Sequence, residues 1–198
     1  MPSKSIILAS QSPRRENILR QIGLDFEIIP SNINEGLELD LGPRKFAKYW
    51  SEQKAKAISK KNKNKIVIGA DTIVYLDGEI LGKPKNKEES FNMLNKISGS
   101  THKVFTGVSI AYNEKNILKK FCEETRVTVK AISKKDILYY IDNYSPLDKA
   151  GSYGIQDWFS VWIKKIDGCY FNVMGLPISK FYKNYILVEK ELNNDKNK

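Results

Sequence analysis

Apolar residues along this 198-residue chain follow two periods, and the switches between them mark its elements. Ile6-Ile7-Leu8-Ala9 is a short unbroken apolar run and predicts a buried strand over 5–10. Ser12-Pro13 reads as a helix start, an N-capping residue followed by proline in the first turn. In the helix expected over 13–22, Ile18, Leu19 and Ile22 recur three and four apart. Phe26 to Ile29 predicts a second strand. Beyond the polar stretch SNINEGLELDLG, a long helix follows Pro43, with Phe46, Trp50, Lys54 and Ile58 on one face at intervals of four. KIVIGADTIV, residues 65–74, is the strongest buried-strand signal, and Asp77-Gly78 marks a tight turn. A helix over 87–97 turns Phe91, Leu94 and Ile97 inward. Residues 101–130 are β-rich, with VFTGVSIAY and FCEETRVTVKA joined by the turn NEKN. A short helix is expected over 134–142. The last helix lines Ile178, Phe181, Tyr185, Val188 and Leu192 along one side. Strands alternating with helices at both ends of a hairpin-rich middle predict an α/β protein without internal repeats.

Composition narrows the class. The chain is 41% hydrophobic, enough for one domain with a real core or for two small lobes. No stretch approaches the roughly 20 apolar residues that span a bilayer. The segment MPSKSIILAS lacks the apolar region and cleavage signature of a signal peptide. Cys122 and Cys169 are far apart and make neither a disulfide scaffold nor a metal cluster. A cytoplasmic protein without a membrane partner is expected. The formal net charge of +10 comes mostly from scattered lysines, as in KKNKNK at 60–65 and KNILKK at 115–120. Lysine and asparagine abound everywhere, and no zinc-finger, RNA-recognition or GXXG signature accompanies them. Stable nucleic-acid binding is therefore not expected.

Candidate chemistry sits where polar residues break these patterns. Arg14 and Arg15 fall in the first turn of a helix, whose free N–H groups already make that end positive. Two readings fit them: an external anion, or surface pairing with Glu16 or Glu35. Lys54 interrupts an apolar stripe and either snorkels to solvent or enters a cleft. Asp71 stands at the end of the most apolar strand, where a carboxylate is costly unless paired or metal-bound. It is either a ligand group or a structural aspartate holding a turn. Lys83, in LGKP, lies between a permissive glycine and a restricting proline, which fixes the base of its side chain. His102 is the only histidine and makes a poor candidate for a catalytic base. The stretch YSPLDKAGSYGIQDW, 144–158, is polar, glycine-rich and long for a connector. In it Asp148 and Lys149 pair with each other or support a site, and Gln156 offers an amide. Cations Arg14, Arg15, Lys54 and Lys83, with Glu35 and Asp71 as ligands for a hard metal ion, suit phosphoester or nucleotide hydrolysis.

The series ASQSPRR, the KAKAI around Lys54, GADTIV, LGKP, SGSTHKVFTGV, DKAGSYGIQ and NVMGLP resembles, in order, the motifs of the Maf proteins. These are nucleoside triphosphate pyrophosphatases also named as septum-formation inhibitors. The resemblance spans about residues 5–188. It implies an elongated mixed β-sheet flanked by helices, two lobes around a cleft, and a fold related to inosine triphosphate pyrophosphatase. It also implies one catalytic domain over 1–192 and a homodimer, while the polar composition of NNDKNK predicts a flexible tail over 193–198. Carried over by position, Arg14 and Arg15 bind phosphate, with Ser10 and Ser12 in the same loop. Lys54, Lys83 and Gln156 also bind substrate, Glu35 and Asp71 hold a divalent cation (Mg2+ or Mn2+), and Asp71 is the catalytic acid–base group. The reaction implied is cleavage between the α and β phosphates, giving monophosphate and pyrophosphate. The form of residues 155–177 resembles the branch acting on dTTP and UTP; the branch acting on modified bases is the alternative. The loop departs from the family pattern at Ser145, Ser152 and Asp157, and Asn34 replaces an aspartate. Two other classes remain open: a non-catalytic nucleotide-sensing regulator of cell division, and a nucleotidyltransferase.

Overall fold

A computed structural model describes residues 4–36 and 39–194. Among these, the strands are β1 (Ile6–Leu8), β2 (Glu27–Ile28), β3 (Ile66–Leu76), β4 (Glu79–Leu81), β5 (Thr101–Tyr112), β6 (Ile117–Val129) and β7 (Ile163–Asp167). The helices are α1 (Pro13–Gln21), α2 (Pro43–Ser59), α3 (Lys87–Ile97), α4 (Lys134–Tyr144), α5 (Tyr170–Met174) and α6 (Ile178–Asn194). The strands form one mixed sheet in the order β2-β1-β3-β5-β6-β7, with β4 paired to β3. β1 runs parallel to β2 and β3, and the other pairs are antiparallel. The expected α/β class with an elongated mixed sheet and flanking helices is what the chain adopts.

Strands β3, β5 and β6 have 11, 12 and 13 residues, about twice the usual length. Each therefore passes through two separate cores. In one, Ile68, Ala70, Val108, Ile110 and Phe121 pack with Ile18 and Leu19 of α1 and with Phe181, Tyr185 and Val188 of α6. In the other, Val74, Leu76, Val104 and Val127 pack with Leu94 and Ile97 of α3 and Ile137 and Tyr140 of α4. Helix α2 covers the opposite sheet face, placing Ala55 and Ile58 on Val67, and Phe46, Ala47 and Trp50 on Ile73 and Phe105. Its backbone rests directly on the strands. A Cβ at Gly69 would stand 2.3 Å from the Ser51 carbonyl oxygen, and one at Gly107 would stand 2.1 Å from that of Ala47.

Asp71 is not at a strand end, as its sequence context suggested. β3 continues through Asp71-Thr72 to Leu76, because the residues beyond them enter the second core. What the site uses is a gap along the strand's edge. β1 pairs with Ile66–Ile68 and β4 with Val74–Leu76, so among the described residues no strand lies beside 69–73 on that edge. Side chains from both faces of β3 reach the opening there. The second strand shrinks to Glu27–Ile28, and the helix expected over 134–142 runs to Tyr144. The tail expected over 193–198 begins inside α6, at Asn193 and Asn194, and its remainder lies outside the described residues. Among the described residues, no helix is long and apolar enough to cross a membrane.

Candidate active site

A cleft of about 420 Å3 opens at the gap along β3. Strand alternation turns Asp71 toward α2, and the close seat of α2 on Gly69 and Gly107 brings Lys54 to meet it. Lys54 Nζ lies 2.7 Å from Asp71 Oδ1 and 2.7 Å from Glu35 Oε2. The stripe that carries Lys54 thus leads into the cleft and not out to solvent. Its charge is matched by two carboxylates, so Lys54 contributes little net attraction for an anion. Burial raises the Glu35 pKa above its ordinary value, Lys54 opposes the rise, and the like charge of Asp71 adds to it.

Arg15 behaves differently. Its Nε donates to the Gly175 carbonyl at 2.9 Å, Nη1 to Ser10 Oγ at 3.0 Å, and Nη2 to Thr72 Oγ1 at 3.0 Å. Ser10 Oγ also accepts from the Ser12 backbone N–H at 3.2 Å. The guanidinium is held on three sides by neutral oxygens, with no carboxylate bonded to it among the described residues. Burial holds its pKa below the ordinary arginine value, with Asp71 opposing that shift and Arg14 adding to it. A buried, oriented and uncompensated cation attracts an anion. Lys83 lines the same cleft and has no hydrogen-bond or ion-pair partner among the described residues. Burial lowers its pKa, and the positive charges of Lys54 and Arg15 act in the same direction. Ser12 occupies the N-cap position of α1 and Pro13 its first turn, as their order implied, but the Ser12 side chain makes no capping bond. Arg14 reaches across the cleft instead, donating to Asp148 Oδ2 at 2.6 Å and to the Asp148 carbonyl at 3.2 Å. Lys149 holds the other carboxylate oxygen of Asp148 at 3.0 Å.

The cleft therefore collects Ser10, Ser12, Arg14, Arg15, Glu35, Lys54, Asp71 and Lys83. Gln156 does not join them. Buried Ile155 takes the inward position at that turn, and Gln156 faces solvent outside the cleft lining. His102 is fully buried beneath the cleft, bonded to Tyr153, and burial drives its pKa down to about 4. It is neutral at neutral pH and unsuited to proton transfer. Three contributors had not been singled out: Thr72, the Gly175 carbonyl, and the glycine pair Gly69 and Gly107. Glycine inside an apolar strand was the readable signal for the last two, since it marks a close backbone approach.

The donor set bears on a metal. Among the described residues no group of three or more His, Cys, Asp and Glu side chains is placed to hold one. Glu35 and Asp71 nonetheless converge on a single cationic atom, Lys54 Nζ. Two carboxylates aimed at one cation position, beside an anion site, fit a hard divalent ion that completes its shell with waters and phosphate oxygens.

The family model for Maf-like protein matches residues 5–185. The chain belongs to that family. Among its relatives, the dTTP/UTP pyrophosphatase of Caldicellulosiruptor saccharolyticus is 45% identical over 182 residues, covering 89% of this chain and 91% of that protein. The dTTP/UTP pyrophosphatase of Thermosipho africanus is 48% identical over 177 residues, covering 89% and 90%. Among solved structures, the Staphylococcus aureus Ham1 protein matches 64% of this chain and 72% of its own, at 20% identity and a TM-score of 0.42. The cleft brings together the residues that the ordered motifs singled out, except Gln156.

Proposed function

We propose that this chain hydrolyses nucleoside triphosphates between the α and β phosphates, with dTTP and UTP preferred, releasing monophosphate and pyrophosphate. The observation that carries the reading is the meeting, in one cleft, of an uncompensated Arg15 with two carboxylates gathered on Lys54. Relatives at 45% and 48% identity that bear the name dTTP/UTP pyrophosphatase support it.

In this reading Arg15 and Lys83 take the charge of the phosphate chain, and Ser10 and Ser12 offer hydroxyls beside it. Asp71 accepts the proton of the attacking water as the water oxygen bonds to the α-phosphorus. The bond from that phosphorus to the bridging oxygen breaks, and pyrophosphate leaves against the same cations that bound it. A divalent cation, Mg2+ or Mn2+, held by Glu35 and Asp71, supplies Lewis-acid polarisation and a more acidic water. The base preference rests on the relatives that bear the name dTTP/UTP pyrophosphatase. A cytoplasmic homodimer belongs to the same reading, on the family resemblance.

The deciding experiment is a panel of nucleoside triphosphates with purified protein, with and without chelator, measuring pyrophosphate release. Fast release from dTTP and UTP that stops with chelator is expected. Equal turnover of GTP and dTTP overturns the base preference. Adducts with added acceptors point to a transferase, and tight nucleotide binding without any release points to a sensing regulator.

A further inference from the structure

Two chemically different sets of side chains line the cleft. One is charged and polar: Ser10, Arg15, Lys83 and the Glu35–Lys54–Asp71 group. The other is apolar and belongs mostly to the second core, with Val74, Val104, Ala150, Tyr153, Val173 and Met174, while Ala9, Pro13, Pro30 and Ile33 add apolar surface elsewhere in the lining. A triphosphate chain fits the first. What is left for the second is the nucleoside, whose ring faces are apolar. Tyr153 is the only aromatic side chain lining the cleft among the described residues.

Its ring is fixed from behind. The hydroxyl lies 2.7 Å from His102 Nε2, and the two rings meet edge to face at 5.3 Å and 75°. Phe159 packs on it with ring centroids 4.7 Å apart. The chain reaches Tyr153 through two successive left-handed residues, Gly151 at φ +65° and Ser152 at φ +64°. A left-handed serine is costly, and this one is pinned through its hydroxyl to Ser90 Oγ. His102 itself is 1% exposed, and its Nδ1 has no partner among the described residues. Among the described residues the tyrosine hydroxyl is its one polar side-chain contact.

We propose that Tyr153 is a specificity-determining wall for the nucleoside part of the substrate, and that His102 is a positioning residue that holds its ring. The inference rests on the reading that this cleft takes a nucleoside triphosphate, and adds the residues that recognise its uncharged half.

Tyr153→Phe and His102→Phe each keep a ring and remove one side of the hydrogen bond. In steady-state pyrophosphate release, KM for dTTP is expected to rise about fivefold in each while kcat stays within about twofold, the scale of one neutral hydrogen bond. The double variant is expected to be no worse than either single one, as directly coupled partners behave. Inorganic tripolyphosphate has the charge without the nucleoside, and is expected to inhibit parent and variants with the same Ki. His102→Gln, whose amide reaches toward the Nε2 position, is expected to keep the parental KM. A KM for dTTP unchanged in Tyr153→Phe overturns the inference. So does a tripolyphosphate Ki that rises in step with KM, which marks the pair as general structure. If His102→Phe does not fold, Tyr153→Phe decides alone. A parent protein that releases no pyrophosphate overturns the functional reading instead, and dTTP affinity by calorimetry then carries the same comparison of variants.

Discussion

Lys54 Nζ stands 2.7 Å from Asp71 Oδ1, with the two side chains only 9% and 8% exposed. A buried charge keeps its form only while its partner remains, so this pair couples the helix α2 to the middle of β3. Glu35 adds a second carboxylate to the same ammonium.

Asp71→Asn preserves size and removes the charge. Lys54 retains Glu35, so the protein is expected to stay folded. Turnover of dTTP is expected to fall by about 100-fold or more, the scale of losing a placed acid–base or charge-bearing group. Nucleotide affinity without metal is expected to hold or tighten, because a carboxylate beside phosphates repels them. The variant's kcat, metal-free affinity and Tm on one preparation check this. A folded variant cleaving dTTP at close to the parental rate removes Asp71 from the reaction.

Arg15→Lys keeps the positive charge but not the fork. One ammonium does not reach the Gly175 carbonyl, Ser10 Oγ and Thr72 Oγ1 as the guanidinium does. Loss of buried, charge-assisted bonds predicts a destabilisation of about 2–3 kcal/mol. Metal-free affinity for dTTP should fall about tenfold or more as the phosphate partner loses its orientation. Urea unfolding and calorimetric titration give the two numbers. Parental affinity in this variant shows that charge alone suffices at position 15.

Gly107→Ala is expected to disturb the site from a distance. The added Cβ meets the backbone of α2 at 2.1 Å, and a helix backbone yields only by shifting. Overpacking of this kind costs about 1–3 kcal/mol. The same shift carries Lys54 away from Asp71, so Tm and turnover should fall together. Gly78→Ala is the control: its Cβ meets nothing within 4 Å, but its φ is +88°. It should lower Tm and leave kcat/KM for dTTP as in the parent. Loss of stability without loss of turnover in Gly107→Ala would separate the seat of α2 from the chemistry.

His102 gives the protein a pH signature. Its pKa falls from 6.5 to about 4 in the folded chain through burial. Above pH 6.5 the ring is neutral whether folded or not, and its contribution to stability is complete. As pH drops through that value toward 4, the unfolded chain takes up a proton that the folded one refuses, so stability declines, by up to about 3 kcal/mol. His102→Gln has no such proton to bind, and its stability should decline less over that window. Urea midpoints at about pH 7 and about pH 4.5 for both proteins test the difference. Equal declines would place the acid sensitivity in other groups.

The legible part of this protein was local. Ile18, Leu19 and Ile22, the stripe Phe46, Trp50, Lys54 and Ile58, and the terminal series Phe181, Tyr185, Val188 and Leu192 each lie on one face because helical geometry repeats every 3.6 residues. The apolar run before Asp71 was a strand for the same kind of reason, and Ser12-Pro13 began a helix because proline needs no hydrogen bond there. The ordered motifs that resemble the Maf family named nearly every charged residue of the cleft. Periodicity states which face a residue occupies, not what it meets. That Lys54 is answered by Asp71 and Glu35, that Arg14 crosses to Asp148, and that Gln156 turns outward depend on pairings between distant segments. The same holds for the place of Asp71 within β3. Whether an apolar run ends or continues after a carboxylate depends on whether another core lies beyond it. Here one does, and the open edge between β1 and β4 exists only once both have chosen their registers on β3. His102 and Tyr153 are 51 residues apart in the chain, and only the folded sheet, by closing the second core over a buried imidazole, made them partners.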